Sequence, residues 1–244
     1  YTSHILMADT DDCIPGYHRL GETLHAHGAK VFGQLFHPGR EIMEGQDGSI
    51  PPAYAPSAVP DNRFHTMPRE MPLALVEELI AACGAAAGRF AEAGLDGIEI
   101  VGSHGLLFAQ FLNPTTNLRT DRFGGSRENR MRFLADCLAA VRNAVGADLV
   151  VGMRTSAEEL EEGGLEAGEV IAVCQELARC KALDYVNVTT GSMAGLGGSV
   201  HVVPPMEIEP GYVAPQAGTL RAAVGLPVFV AGRINQPQIA EQVL

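Results

Sequence analysis

The chain has 244 residues, 46% of them apolar, and a formal net charge of −12. This length fits one large α/β domain or two small ones, with enough apolar residues for a sizeable core. The negative charge argues against nucleic acid or an anionic membrane as a partner, and no apolar run is long enough for a membrane span. The first residues have neither the basic nor the apolar segment of a secretory signal peptide, so none is expected there.

The cysteines predict a reduced, cytoplasmic protein. Five are present, none in a C-x-x-C pair, and an odd number cannot all form disulfides. We expect most of them to fill the core, and we expect no metal site from them. They are Cys13, Cys83, Cys137, Cys174 and Cys180.

Short apolar segments, taken in chain order, predict the strands. They are rich in β-branched residues and apolar throughout, as is typical of parallel strands that are covered on both faces. These segments are Lys30–Phe36, Asp96–Val101, Asp148–Met153, Asp184–Val188 and Pro227–Ala231.

Helical patterns alternate with these strands. In Leu75–Ala93 and Glu128–Val145 the apolar residues recur with a 3.6-residue period, and a glycine follows the last turn. The alternation predicts a parallel α/β fold. A doubly wound sheet is an option, but a (β/α)₈ TIM barrel fits better, because long polar segments follow the carboxyl ends of several strands, where barrel sites are built. Further helices are predicted at Gly16–Ala26, Gly168–Arg179, Pro215–Val224 and Gln236–Leu244.

One polar segment, His104–Arg130, is unusually long and follows a predicted strand directly. Its second half has two interpretations, a functional loop or a rigid crossover in which Arg119 pairs with Asp121 and the Gly-Gly pair turns the chain. His104 and Gln110 lie closer to the strand end, so a functional role is favoured for them.

Four stretches occur in order and at barrel-strand spacing: "GQLFHPGR", "GIEIVGSHGLLFAQFLNPTTNLRTDRFGGSRENRMRF", "VGMRTS" and "VFVAGRI". Together they resemble the old yellow enzyme superfamily of FMN-dependent oxidoreductases. The likeness is strongest to its long members, which include trimethylamine dehydrogenase, 2,4-dienoyl-CoA reductase and the N-methyl amino acid demethylases.

The resemblance implies a partial barrel. In these enzymes the "GQLFH" strand is the third and "VFVAGRI" lies on the seventh. Residues 1–244 are therefore expected to form a partial FMN-binding TIM-barrel domain that lacks strands 1, 2 and 8. A 4Fe-4S cluster and a second dinucleotide, which such long members can carry, would lie outside this chain.

The resemblance also implies where FMN binds. Gln34 would contact the flavin pyrimidine edge, Arg154 would face the flavin N1/C2 carbonyl, and Gly232 and Arg233 would hold the phosphate. A buried glutamine needs hydrogen-bond partners and an arginine at a strand end needs an anion, so the residue types suit these roles. The alternatives are a backbone partner for Gln34, a salt bridge from Arg154 to Glu99, and a plain turn at the two later residues.

Substrate contacts are expected at the strand ends. His104 stands where the family has His or Asn, and a neutral imidazole can hydrogen-bond substrate or take a proton near pH 7. Val101 and Leu106 stand where the reductases commonly have histidine and tyrosine, so the proton-donating set is missing. Met193 and His201, in the glycine-rich segment after the sixth strand, are further candidates, unless that segment is a solvated Ω-loop.

These features predict a flavin-dependent oxidoreductase of the old yellow enzyme type, with His104 and Arg154 as catalytic residues. The preferred hypothesis is oxidation of a small N-methylated amine by hydride transfer to flavin N5, with an electron-acceptor protein or NAD(P)H as partner. The alternatives are NAD(P)H-dependent reduction of an activated C=C and, more distantly, a phosphate-binding TIM-barrel lyase or isomerase. His37 and Arg40 line the cofactor side or serve structure, and a homo-oligomer is left open.

Overall fold

The fold is built on a parallel sheet. A computed structural model describes residues 6–42, 49 and 51–244, and within them five parallel strands form one sheet. In spatial order these are β1 (Phe32–Leu35), β4 (Gly97–Gly102), β5 (Val150–Ser156), β6 (Tyr185–Thr189) and β7 (Val228–Val230). A separate two-stranded parallel sheet joins β2 (Tyr54–Ala55) to β3 (Arg69–Glu70).

Helices connect the strands of the large sheet. Strands that neighbour each other in chain order, all parallel and joined through helices, form part of a (β/α)₈ barrel. The helices are α1 (Ile14–His25), α2 (Leu73–Glu92), α3 (Leu107–Leu112), α4 (Arg127–Val145), α5 (Ala167–Arg179), α6 (Leu196–Val202), α7 (Ala214–Val224) and α8 (Pro237–Val243).

The elements predicted from periodicity are confirmed to within a few residues at each end. The short helices α3 and α6 and the pair β2–β3 were not predicted. The helix α3 lies inside the segment expected to be loop, and each of its residues is buried, so it shows no amphipathic period. The helix α6 lies in the glycine-rich segment after β6, so the interpretation of that segment as an Ω-loop is wrong in part.

The hydrophobic core lies between the outer face of the sheet and the helices. Ile98 and Ile100 of β4 are fully buried there, in one cluster with Phe90 of α2 and Leu134 of α4. Because alternate residues of a strand face opposite sides, Glu99 between these isoleucines faces the barrel interior. The described residues include no helix that is both long and apolar enough to cross a bilayer.

The segment after α3 is a rigid crossover. Arg119, 6% exposed, donates to both carboxylate oxygens of Asp121 at 2.5–3.1 Å and to the carbonyls of Pro56 and Met71 at 3.0 and 2.7 Å. This pairing confirms the structural interpretation of the segment. The guanidinium joins the crossover to the segment around β2 and β3, and so fixes the loops above the barrel.

Replacing Arg119 by lysine is expected to lower the free energy of unfolding by at least about 2 kcal/mol. A lysine ammonium cannot donate hydrogen bonds at once to the carboxylate of Asp121 and to both carbonyls, as the planar guanidinium does. Chemical denaturation of the full-length protein measures this. The exposed Arg122, paired with Glu77 at 3.0 Å, offers a matched control, and Arg122→Lys should change stability by less than about 0.5 kcal/mol. Equal effects of the two substitutions would contradict the structural role of Arg119.

Candidate active site

Two rows of residues face the barrel interior. The strand register sets both rows, and the upper row lies two residues closer to the carboxyl ends of the strands than the lower row. The lower row consists of Gln34, Glu99, Gly152 and Tyr185, and the upper row of Val101, Arg154 and Asn187.

Glu99 is the hub of these rows. It is 6% exposed, and its Oε1 accepts a hydrogen bond from Gln34 Nε2 at 2.6 Å. Its Oε2 accepts from Tyr185 OH at 2.9 Å and from Asn187 Nδ2 at 3.0 Å. Sequence reasoning considered this residue only as a salt-bridge partner of Arg154, and no such bridge occurs among the described residues. The signal was available, because a carboxylate inside the apolar stretch "GIEIV" requires buried donors.

Gly152 makes this hub possible. A Cβ at Gly152 would lie 2.1 Å from the ring of Tyr185, so the ring crosses the backbone of β5 at the one position without a side chain. Burial, reinforced by the Glu99 carboxylate, raises the pKa of Tyr185 above its ordinary value, which keeps the phenol a hydrogen-bond donor.

Arg154 is a cation that has no carboxylate partner among the described residues. It is half-buried, and among the residues described it forms neither a hydrogen bond nor an ion pair. A guanidinium in this position favours an anion or a group that gains negative charge. Together with the amide of Gln34 one row below, it fits the polar pyrimidine edge of FMN, and this binding role stays a prediction.

His104 lies beside Arg154 at the end of β4. Its backbone is in the left-handed region with φ of 62°, where its N–H donates to Ser156 Oγ at 3.0 Å. Burial, and then the charge of Arg154, lower the pKa of the imidazole to about 4, although a hydrogen bond to the Gly191 backbone opposes the shift. An imidazole with this pKa is neutral at pH 7, and its role toward a substrate stays a prediction.

The ring of His104 has an unsatisfied nitrogen. Its Nδ1 is buried and has no hydrogen-bond partner among the described residues. In a neutral imidazole one ring nitrogen donates and the other accepts, so the ring can serve a bound group in either sense.

The other predicted substrate residues differ in their burial and in their contacts with His104. Val101 and Leu106 are buried, 4% and 3% exposed, and carry no polar side-chain atom. Met193 is half-buried, and its N–H donates to the carbonyl of His104 at 2.9 Å, which ties the segment after β6 to the end of β4. His201 lies farther along this segment on α6, where its carbonyl accepts a hydrogen bond from the Tyr212 hydroxyl.

Gly232 and Arg233 follow β7. A Cβ at Gly232 would come within 2.4 Å of Val213, so the backbone passes this neighbour closely. Arg233 donates through Nη1 to the carbonyls of Pro205 and Met206 at 3.1 and 2.7 Å. The arginine thus fixes the segment that leaves α6, and phosphate binding by this pair stays a prediction.

Gln110 has a structural role instead of the functional role that its position suggested. It is 1% exposed, and its Nε2 donates to the carbonyls of Pro38 and Gly105 at 3.1 and 2.7 Å. Its Oε1 accepts from Arg40 N at 3.2 Å. The side chain therefore joins the loop after β1 to the loop after β4.

His37 and Arg40 belong to this joined region. The Nδ1 of His37 accepts a hydrogen bond from the N–H of Gly39 at 3.0 Å, and burial lowers the pKa of His37 to about 4. Arg40 is 9% exposed and donates to the carbonyl of Pro60 at 3.1 Å. These contacts support a structural role for both residues, and a role on the cofactor side stays a prediction.

Glu41 was not identified from the sequence. It is fully buried against Asp61, which is 1% exposed. Burial, and then the neighbouring Asp61, raise the pKa of Glu41 to about 9, and the charge of Arg40 opposes this only in part. Neither oxygen of the Glu41 carboxyl has a hydrogen-bond partner among the described residues. Residues 20 apart in a loop give no periodic signal of this contact.

A protein-family profile described as the NADH:flavin oxidoreductase / NADH oxidase family matches residues 2–244. The chain belongs to this family. The description of this family names flavin and NADH chemistry. It gives no support to the lyase or isomerase alternative.

Three known proteins illustrate the range of this family. The NADH oxidase of Thermoanaerobacter brockii is 37% identical over 241 residues, which are 98% of this chain and 36% of that protein. The structure of 2-naphthoyl-CoA reductase with 2-naphthoyl-CoA has a TM-score of 0.86 at 31% identity, covering 96% of this chain and 36% of that one. Histamine dehydrogenase from Rhizobium sp. 4-9 has a TM-score of 0.82 at 28% identity, covering 96% and 33%. The chain thus spans about a third of the length of each.

The raised pKa of Glu41 predicts a pH dependence of stability. Because the folded-state pKa of Glu41, about 9, lies above its ordinary value of 4.5, its contribution is complete below pH 4.5 and is lost as the pH rises toward 9. Glu41→Gln, which cannot ionise, should flatten this decline and make the variant more stable than wild type near pH 9.

Denaturation midpoints of the full-length protein between pH 5 and 9 measure the effect. The control is Glu92→Gln on the exposed end of α2, which should keep the wild-type slope. A Glu41→Gln variant with that same slope would show that Glu41 does not hold the proton.

Proposed function

We propose that this chain is a partial FMN-binding barrel domain of an oxidoreductase that oxidises a small N-methylated amine. The observation that carries the proposal is the cation of Arg154, which has no carboxylate partner among the described residues, beside the imidazole of His104, whose pKa it lowers.

The cation favours the reactive form of an amine. Loss of hydride from a C–H next to nitrogen requires the nitrogen lone pair, and hence the unprotonated amine. Arg154 lowers the pKa of His104, and the same charge would lower the pKa of an amine bound beside it. The apolar side chains of Val101 and Leu106 act in the same direction, since desolvation disfavours an ammonium.

The imidazole of His104 can orient the substrate. A neutral ring has one donor and one acceptor nitrogen, so it can receive the N–H of a secondary N-methylamine without removing the lone pair of the amine.

FMN, when bound, supplies the hydride acceptor at its N5. Gln34 and Arg154 would hold its pyrimidine edge, while Gly232 and Arg233 would reach its phosphate. Electrons would then leave to an electron-acceptor protein or a nicotinamide coenzyme. The 4Fe-4S cluster, the second dinucleotide and the cytoplasmic location expected from the sequence belong to the same proposal.

The second candidate is reduction of an activated C=C by NAD(P)H. The similarity to 2-naphthoyl-CoA reductase favours it. The residues at the substrate positions argue against it, because Val101, Leu106 and Met193 have no proton to donate. A positioned proton donor typically raises the rate about a hundred- to ten-thousand-fold.

Rapid mixing of the full-length protein with substrates, without oxygen, tests the choice. Dimethylglycine, N-methylproline or trimethylamine should bleach the flavin absorbance. His104→Phe should slow this bleaching while the flavin stays bound. Fast oxidation of the reduced flavin by cyclohexenone or a dienoyl-CoA, with no bleaching by any amine, would reject the proposal in favour of the second candidate.

A gain-of-function variant tests the missing donor. Leu106→Tyr places a phenol where the resemblance expects one, and it should raise the rate of enone reduction by at least about tenfold. Leu106→Phe has nearly the same shape without the hydroxyl, and it should give no gain. If the tyrosine variant also gives none, then the shape of the pocket, and not the absent proton, limits this reaction.

A further inference from the structure

We propose that Glu99 sets both the orientation of the Gln34 amide and the charge balance beneath the flavin, and is therefore a positioning residue of the cofactor site. This inference rests on the FMN site proposed above. It assigns a role to a buried carboxylate that does not itself reach the pyrimidine edge.

The hydrogen bonds identify Glu99 as a carboxylate. Its two oxygens receive three donors, from Gln34, Tyr185 and Asn187, at 2.6–3.0 Å. Each donor comes from a neutral side chain, so the negative charge is solvated by dipoles and is not cancelled by a cation among the described residues. Such a charge keeps its influence on neighbouring groups, because the surroundings screen it weakly.

The contact at 2.6 Å fixes which way the Gln34 amide points. Its Nε2 faces Glu99, and a flipped amide would set its Oε1 against the carboxylate, acceptor to acceptor. Gln34 therefore presents Oε1, together with its remaining N–H, to whatever binds against it. The pyrimidine edge of a flavin carries an N–H at N3 between two carbonyls, which complements this fixed amide edge.

Glu99 also opposes Arg154. In the strand register Arg154 is opposite Val101, one row above Glu99 on the same face of the sheet. The cation favours the reduced flavin, which gains negative charge near its N1, and the carboxylate one row below disfavours it. Removing either charge should thus change the preference for reduced over oxidised FMN, in opposite directions.

Two substitutions separate orientation from charge. Glu99→Gln keeps the shape of the side chain but removes its charge. The new amide has both a donor and an acceptor, so it can hydrogen-bond the Gln34 amide in either of its two orientations. Glu99→Asp keeps the charge but is too short to keep the 2.6 Å contact. Glu128→Gln on the exposed first turn of α4 is the control for a distant charge.

The full-length protein is loaded with ¹⁵N-labelled FMN, and two quantities are measured. One is the ratio of the dissociation constants of oxidised and reduced FMN, obtained from the midpoint potential. Glu99→Gln should shift this ratio roughly tenfold toward tighter binding of reduced FMN, Arg154→Ala should shift it the other way, and Glu99→Asp and Glu128→Gln should stay within about twofold. The other is the N3 resonance of bound FMN, which both Glu99 variants should move and Glu128→Gln should not.

A wild-type protein that does not bind FMN would overturn both the proposed function and this inference. A wild type that binds FMN, with a Glu99→Gln variant whose binding ratio and N3 resonance match wild type, would overturn the inference alone. If the Glu99→Gln variant does not fold, Glu99→Asp still decides the point, because an unchanged N3 resonance in that variant refutes the orientation role.

Discussion

The register of the parallel strands is the constraint on which the site depends. It sets Gln34 beside Glu99 and Val101 beside Arg154, so residues far apart in sequence share two rows inside the barrel. If a strand shifted by one residue, its polar side chains would point toward the helices, and the isoleucines of β4 would point into the barrel. The burial of Ile98 and Ile100 under α2 and α4 therefore determines where the chemistry lies.

The two rows differ in how their charges are satisfied. In the lower row Glu99 is surrounded by donors, and the space for Tyr185 exists only because Gly152 has no side chain. In the upper row Arg154 has no counter-charge within the described residues, and its charge lowers the pKa of the neighbouring His104. A row whose carboxylate is paired thus lies below a row whose cation has no counter-charge among the described residues, which is the arrangement expected of a binding site.

Much of the fold could be read from the sequence, because long amphipathic helices and short β-branched strands have clear periods. The helix α3 could not, since it is buried all round and too short to show a period. For the site, residue types at strand ends indicated Gln34, Arg154 and His104. The low pKa of His104 was not foreseeable, because it arises from burial and from a cation on another strand.

Gln110 and Glu41 illustrate the same limit. Each makes its decisive contact with a loop residue that is 20 or more positions away, Gln110 with Pro38 and Glu41 with Asp61. Loops carry no repeating pattern from which such contacts could be inferred. Position at a strand end favoured a functional Gln110, yet its amide is used entirely to join two loops.

We propose that Gln34 and Arg154 together bind the pyrimidine edge of the flavin. A crystal structure of the full-length protein with FMN tests this most directly. We expect the Gln34 amide and the Arg154 guanidinium within about 2.7–3.2 Å of polar atoms on that edge, with the Gln34 amide still hydrogen-bonded to Glu99. A flavin bound elsewhere, or an Arg154 that instead pairs with a carboxylate of the protein, would contradict it.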